Sequence, residues 1–88
     1  MVSKKLTISG KVQGVFFRAN VKRKADELNL KGYAKNLENG NVEITVEGDE
    51  NKMNEFIDFI KNSPGASKVT NLEVKENKPR NFEEFEVI

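Results

Sequence analysis

The stretch Gly10-Lys11-Val12-Gln13-Gly14-Val15-Phe16-Phe17-Arg18 sets two glycines, one carboxamide and one arginine between a strand-like run and a helix-like one. A strand, a glycine-bearing turn and a helix start bring successive main-chain N–H groups to one point at the rim of a sheet, where they attract an anion. Gly10 and Gly14 can take positive φ and let the backbone approach a ligand with no Cβ in the way. Arg18, in the first helical turn, can aim its forked guanidinium at the same place. Phosphate is the natural guest. The same residues also suit a plain tight turn with Arg18 in solvent, and their spacing matches neither GxxxxGK[ST] nor GxGxxG.

Composition narrows the chemistry. The 88 residues include no histidine and no cysteine, which removes Ser-His-Asp and Cys-His nucleophiles, phosphohistidine, disulfides and most zinc sites. Any catalysis here must work by other means. Fifteen basic residues against fourteen acidic ones leave a net charge of +1, so no strong field draws the chain to nucleic acid or to an anionic membrane. No apolar run reaches the length of a signal peptide core or a membrane span. The expectation is a mature, soluble, cytoplasmic monomer forming a single domain over residues 1–88.

The elements that must position the turn follow from periodicity. Leu6 and Ile8 alternate with Lys5, Thr7 and Ser9 in a half-buried first strand, and Phe17, Val21, Ala25 and Leu28 recur at helical spacing until Asn29 to Gly32 stop the helix. Residues 32–48 read as a hairpin, with Asn39-Gly40 as a type I′ turn and Val42, Ile44 and Val46 on the buried face. Asp49 is a candidate N-cap for a second helix bearing Met53, Phe56, Ile57 and Ile60, which ends at Asn62-Ser63-Pro64-Gly65. Thr70, Leu72 and Val74 mark a fourth strand, and Phe85 with Val87 a short last one. This order, βαββαβ plus a C-terminal strand, implies an α+β ferredoxin-like sandwich: a mostly antiparallel sheet with two helices on one face.

Ile8-Ser9-Gly10-Lys11-Val12-Gln13-Gly14-Val15-Phe16-Phe17-Arg18 resembles the first signature of the acylphosphatase family. Gly32-Tyr33-Ala34-Lys35-Asn36, with Gly40, Val42 and Gly48 at their spacing, resembles the second. The resemblance covers essentially the whole chain and carries the same element order. It implies hydrolysis of the carboxyl-phosphate bond of small acyl phosphates, without metal or covalent intermediate. It assigns phosphate binding to the Gly14, Val15, Phe16, Phe17 and Arg18 loop and its arginine, and water orientation to Asn36. Inorganic phosphate would be a product and a competitive inhibitor. Val21 departs from the family, many of whose members carry threonine three residues after the motif arginine.

The chemistry agrees with these residue types. A carboxylate of low pKa leaves readily, so no strong general acid is needed. Phosphoryl charge spreads over three oxygens that amides and a bidentate arginine can hold. Asn36 can both accept from and donate to a water, although asparagine also suits a plain turn or bulge. Gln13 either braces the loop from behind or faces solvent. Of the two phenylalanines, Phe17 is the better core candidate and Phe16 the better cleft-lining one. Lys22-Arg23-Lys24 and Glu83-Glu84-Glu86 read as solvated surface.

Two rivals share parts of this pattern. Lys31-Gly32-Tyr33-Ala34 matches half of an RNA-recognition signature, but Lys35-Asn36-Leu37-Glu38 lacks the stacking aromatics of the other half. A non-catalytic anion-binding or accessory domain would keep the fold and the loop but not the turnover.

Overall fold

The computed structural model describes residues 1–88. The chain runs β1 (Val2–Lys11), α1 (Phe17–Glu27), β2 (Lys31–Asn36), β3 (Val42–Gly48), α2 (Glu50–Lys61), β4 (Lys68–Glu76) and β5 (Phe85–Val87). The strands form one sheet in the order β4-β1-β3-β2-β5, antiparallel throughout except where β5 runs parallel to β2. This is the ferredoxin-like order expected from the periodicity.

Strand alternation divides the sheet into two unlike faces. Leu6 and Ile8 of β1, Ala34 of β2, and Val42, Ile44 and Val46 of β3 share one buried cluster with Phe17, Val21 and Ala25 of α1 and with Met53, Phe56, Ile57 and Ile60 of α2. Val21 is fully buried there, a setting that suits an apolar residue. The opposite face carries Lys5, Tyr33, Glu43, Thr45 and Glu47. It is crossed by the segment between β4 and β5, whose Phe82 meets Tyr33 edge-on at 6.0 Å between ring centroids.

Helix ends follow local chemistry. The Asp49 carboxylate accepts from the Lys52 N–H at 3.1 Å and caps α2. At the end of α1, Asn29 takes φ of 56°. The Leu30 N–H donates to the Ala25 carbonyl at 2.8 Å and the Asn29 N–H to that of Asp26 at 3.1 Å, the paired bonds that close a helix through a left-handed residue.

Two local expectations are corrected. The β2–β3 hairpin does not turn through a type I′ pair at Asn39-Gly40, because Gly40 has positive φ but Asn39 does not. Glu38, Asn39 and Gly40 instead form a longer loop in which the Gly40 N–H donates to the Leu37 carbonyl and the Leu37 N–H to that of Asn41. The Asn39 side chain takes up the Asn41 N–H, so it acts through its oxygen rather than by tolerating a left-handed backbone. Gly10, for its part, faces no ligand. It sits where the β1–β4 register shifts, and a Cβ there would lie 2.1 Å from the Lys68 carbonyl oxygen. Its positive φ serves the bulge.

Candidate active site

The cradle begins where β1 ends. Gly14 has φ of 72° and Phe16 φ of 58°, with Val15 between them on the negative side, before Phe17 starts α1. Alternation of φ sign turns successive N–H groups toward one side of the chain, the concave arrangement that binds anions. None of the N–H groups from Gly14 to Arg18 donates to an acceptor within the protein. The last of these belong to the open first turn of α1, which adds its dipole. A Cβ on Gly14 would meet nothing within 4 Å, so this glycine keeps its approach side open. The φ expectation thus holds for both glycines, and only Gly14 has open space on its Cβ side.

The two phenylalanines divide their work. Phe17 is 1 % exposed and anchors the start of α1 in the core, whereas Phe16 is 83 % exposed. A non-glycine residue with left-handed φ is uncommon and costs about 1–2 kcal/mol. Here Phe17 pins one end of the loop and Gln13 the other. The Gln13 Nε2 donates to the carbonyl oxygens of Leu37 at 2.9 Å and Asn41 at 2.8 Å. Gln13 is therefore a brace and does not face solvent.

Arg18 lies in the first turn of α1, and its Nη1 donates to the main-chain oxygen of Ile88, just after β5. This bond fixes the guanidinium while leaving its other N–H groups without a protein partner. Arg18, Gly14, Phe16 and Phe17 line one half-open cleft of about 490 Å³ together with Val12, Ala19, Lys22 and Val87. Lys22 keeps solvent exposure, its side chain 45 % exposed, while its Nζ also reaches the Phe85 carbonyl at 2.9 Å and Asp26 at 3.1 Å.

Asn36 and Val15 do not line that cleft. Val15 packs half-buried against the core. Asn36 is the exposed last residue of β2, paired with Val42, and in the alternation it shares the helix-covered side of the sheet with Ala34. Its extended backbone excludes the turn or bulge role. Leu37, which follows it, holds Gln13, so the cradle and the end of β2 are neighbours across the top of the sheet. Sequence reasoning missed Ala19 and Val87 as cleft residues. Lys22, one helical turn beyond Arg18, was detectable by spacing.

Charge around the site is simple. No group of three or more His, Cys, Asp and Glu residues is placed to hold a metal ion, and no helix is long and apolar enough to cross a membrane. The one distinct carboxylate shift lies on the open sheet face, at Glu43. Burial, the largest effect, would raise its pKa, but the Tyr33 hydroxyl, the Lys5 bond and the charges of Lys5 and Lys35 together hold it below the ordinary value.

Residues 4–87 match the acylphosphatase family model. An acylphosphatase from Thermotoga maritima is 40 % identical over 87 residues, covering 99 % of this chain and 97 % of its own. One from Archaeoglobus fulgidus is 41 % identical over 87 residues, covering 99 % and 98 %. The crystal structure of acylphosphatase from Bacillus subtilis superposes with a TM-score of 0.96 at 37 % identity, over 100 % of this chain and 99 % of that one. Signatures, topology and relatives agree over the full length of the match, and the chain belongs to the acylphosphatase family of hydrolases.

Proposed function

We infer that this enzyme cleaves the carboxyl-phosphate bond of small acyl phosphates by direct attack of water, within one domain spanning residues 1–88 that works as a monomer. One observation carries this reading: the unpaired N–H groups from Gly14 to Arg18, curved by alternating φ, with the Arg18 side chain on the helix turn that follows and lining the same cleft. These donors match the equatorial oxygens of a phosphoryl group and need no reorganisation as charge develops on them.

In the proposed step the water oxygen bonds to phosphorus as the bond from phosphorus to the acyl oxygen breaks. The carboxylate departs with the bonding electrons, and the water proton is left on the phosphate or passes to solvent. Because the leaving group is a weak base, no acid has to protonate it. Asn36, at the end of β2 beside the cradle, holds the water through its side-chain oxygen and amide. The resting bond from Arg18 to the Ile88 oxygen keeps the guanidinium oriented before substrate arrives, a saving in ordering entropy. Inorganic phosphate fits the same donors and is the expected competitive inhibitor.

The test is benzoyl phosphate hydrolysis followed by ultraviolet absorbance with EDTA present, for the native chain and for folded Arg18→Gln and Asn36→Ala variants. Turnover in EDTA that collapses in both variants supports the reading. A folded native chain that binds phosphate yet turns nothing over would make it an anion-binding module instead.

A further inference from the structure

Phe16 presents the largest apolar surface beside the cradle, and the fold gains little from it. The side chain is 83 % exposed while its backbone bears the cost of a left-handed φ. A single exposed apolar side chain needs no explanation in itself, but this one lines the cleft beside the open N–H groups. Val87, 41 % exposed on β5, lines the same cleft.

The cleft is larger than a phosphoryl group requires. At about 490 Å³ it falls in the range of sites that enclose whole small ligands. Five of its eight lining residues are apolar, and the polar side chains are Arg18 and Lys22. Arg18 belongs to the cradle. The Lys22 ammonium already donates to the Phe85 carbonyl and Asp26, which leaves one of its three N–H groups for a substrate. No hydroxyl, amide or carboxylate side chain lines the space to recognise a polar acyl chain.

Resting on the phosphoryl site inferred above, we propose that the space between Phe16 and Val87 is an acyl subsite that selects apolar acyl groups, flat aromatic ones above all. Ala19, small and exposed on α1, leaves the floor open. An aromatic acyl group entering here covers the Phe16 ring and Val87 and gains affinity from the area removed from water, whereas an acetyl group reaches little of either.

Stable analogues separate affinity from reactivity. Phenacylphosphonate and acetonylphosphonate replace the bridging oxygen by methylene and differ only in phenyl against methyl. Their competitive inhibition constants, with that of inorganic phosphate, are measured on the native chain and on Val87→Ser and Val87→Phe variants. The expected result is about tenfold tighter inhibition by the phenyl analogue, a preference cut at least threefold in Val87→Ser and kept or raised in Val87→Phe. Phosphate inhibition reports on the cradle alone. Equal inhibition by the two phosphonates, unmoved by either substitution while phosphate still inhibits, overturns the subsite and leaves the cradle standing. If phosphate and both phosphonates fail to inhibit, the cradle reading falls and takes the subsite with it.

Discussion

The Nε2 atom of Gln13 lies 2.9 Å from the carbonyl oxygen of Leu37, and the same amide nitrogen reaches Asn41 at 2.8 Å. One carboxamide thus ties the loop that curves around the anion to both feet of the β2–β3 hairpin, next to Asn36. Gln13→Ala removes both donors and leaves the Leu37 and Asn41 carbonyls with their main-chain partners alone. Stability is expected to fall by about 1–2 kcal/mol, and kcat by more than that loss explains, because cradle and water-holder drift apart. Urea unfolding beside kcat and phosphate inhibition checks this. A destabilised variant with native kcat would make Gln13 a structural brace only.

Arg18 and Asn36 are expected to fail in different ways. Arg18→Lys keeps a charge but loses the fork and the bond to the Ile88 oxygen. Its kcat/KM is expected to drop by at least about a hundredfold, the usual loss for one preorganised donor, with weaker phosphate inhibition. Asn36→Ala is expected to lower kcat on a similar scale while phosphate still inhibits as before. Strongly weakened inhibition in Asn36→Ala would mean that Asn36 holds the phosphate rather than the water.

The two glycines of the first signature separate stability from activity. A methyl at Gly10 would collide with β4 backbone, 2.1 Å from the Lys68 oxygen and 2.8 Å from the Thr70 nitrogen. Gly10→Ala is therefore expected to lose several-fold more stability than Gly14→Ala, where space is open and only the left-handed φ costs, about 1–2 kcal/mol. Gly14→Ala instead places a methyl on the approach side of the cradle and is expected to weaken phosphate inhibition. Calorimetry and inhibition on both variants test the contrast. Equal melting temperatures would contradict it.

These differences mark what the sequence could convey. Element order was legible because each element carries its own period, two for β1 and β3 and near four for α1 and α2. The roles of Arg18 and Asn36 rest on the motifs, beside which the structure sets the open N–H run from Gly14 to Arg18. What stayed hidden depends on partners distant in sequence. Gly10 and Gly14 look alike in the chain, and only β4, packed against one of them, tells them apart. Val87 reads as a strand residue until β5 is seen to lie beside α1. The Asn39-Gly40 pair misled because a loop longer by one residue lets Asn39 bond through its side chain instead.

Glu43 links stability to pH. Its pKa is held below the ordinary 4.5, with burial opposing and the Tyr33 bond and the Lys5 and Lys35 charges prevailing. A depressed carboxylate contributes stability that is fully present above the unfolded-chain pKa and is lost as pH falls through the lower folded value. Glu43→Gln is thus expected to be less stable at neutral pH and to show a shallower loss on acidification from about pH 4.5 downward. Thermal melts between neutral pH and pH 3 test this. Parallel curves for the two proteins would show that the ion cluster contributes nothing.

Glu47, on the other face of the sheet, anchors the segment that leads to β5. Its carboxylate, 2 % exposed, accepts the Arg80 N–H at 2.9 Å and the Phe82 N–H at 2.7 Å. Those bonds hold the segment that crosses beneath the sheet and delivers β5, with Val87, and the Ile88 oxygen that orients Arg18. Glu47→Ala leaves both amides without their acceptor and is expected to cost about 2–4 kcal/mol. It should also free β5 enough to weaken the hold on Arg18, raising KM although Glu47 touches no substrate. Glu47→Gln keeps one carbonyl acceptor and should fall between. Hydrogen exchange at the Arg80 and Phe82 amides reads the anchor directly, since the alanine variant should expose them first. Unchanged protection there, with native KM, would mean that the crossing segment is held by the Tyr33–Phe82 contact and not by the carboxylate.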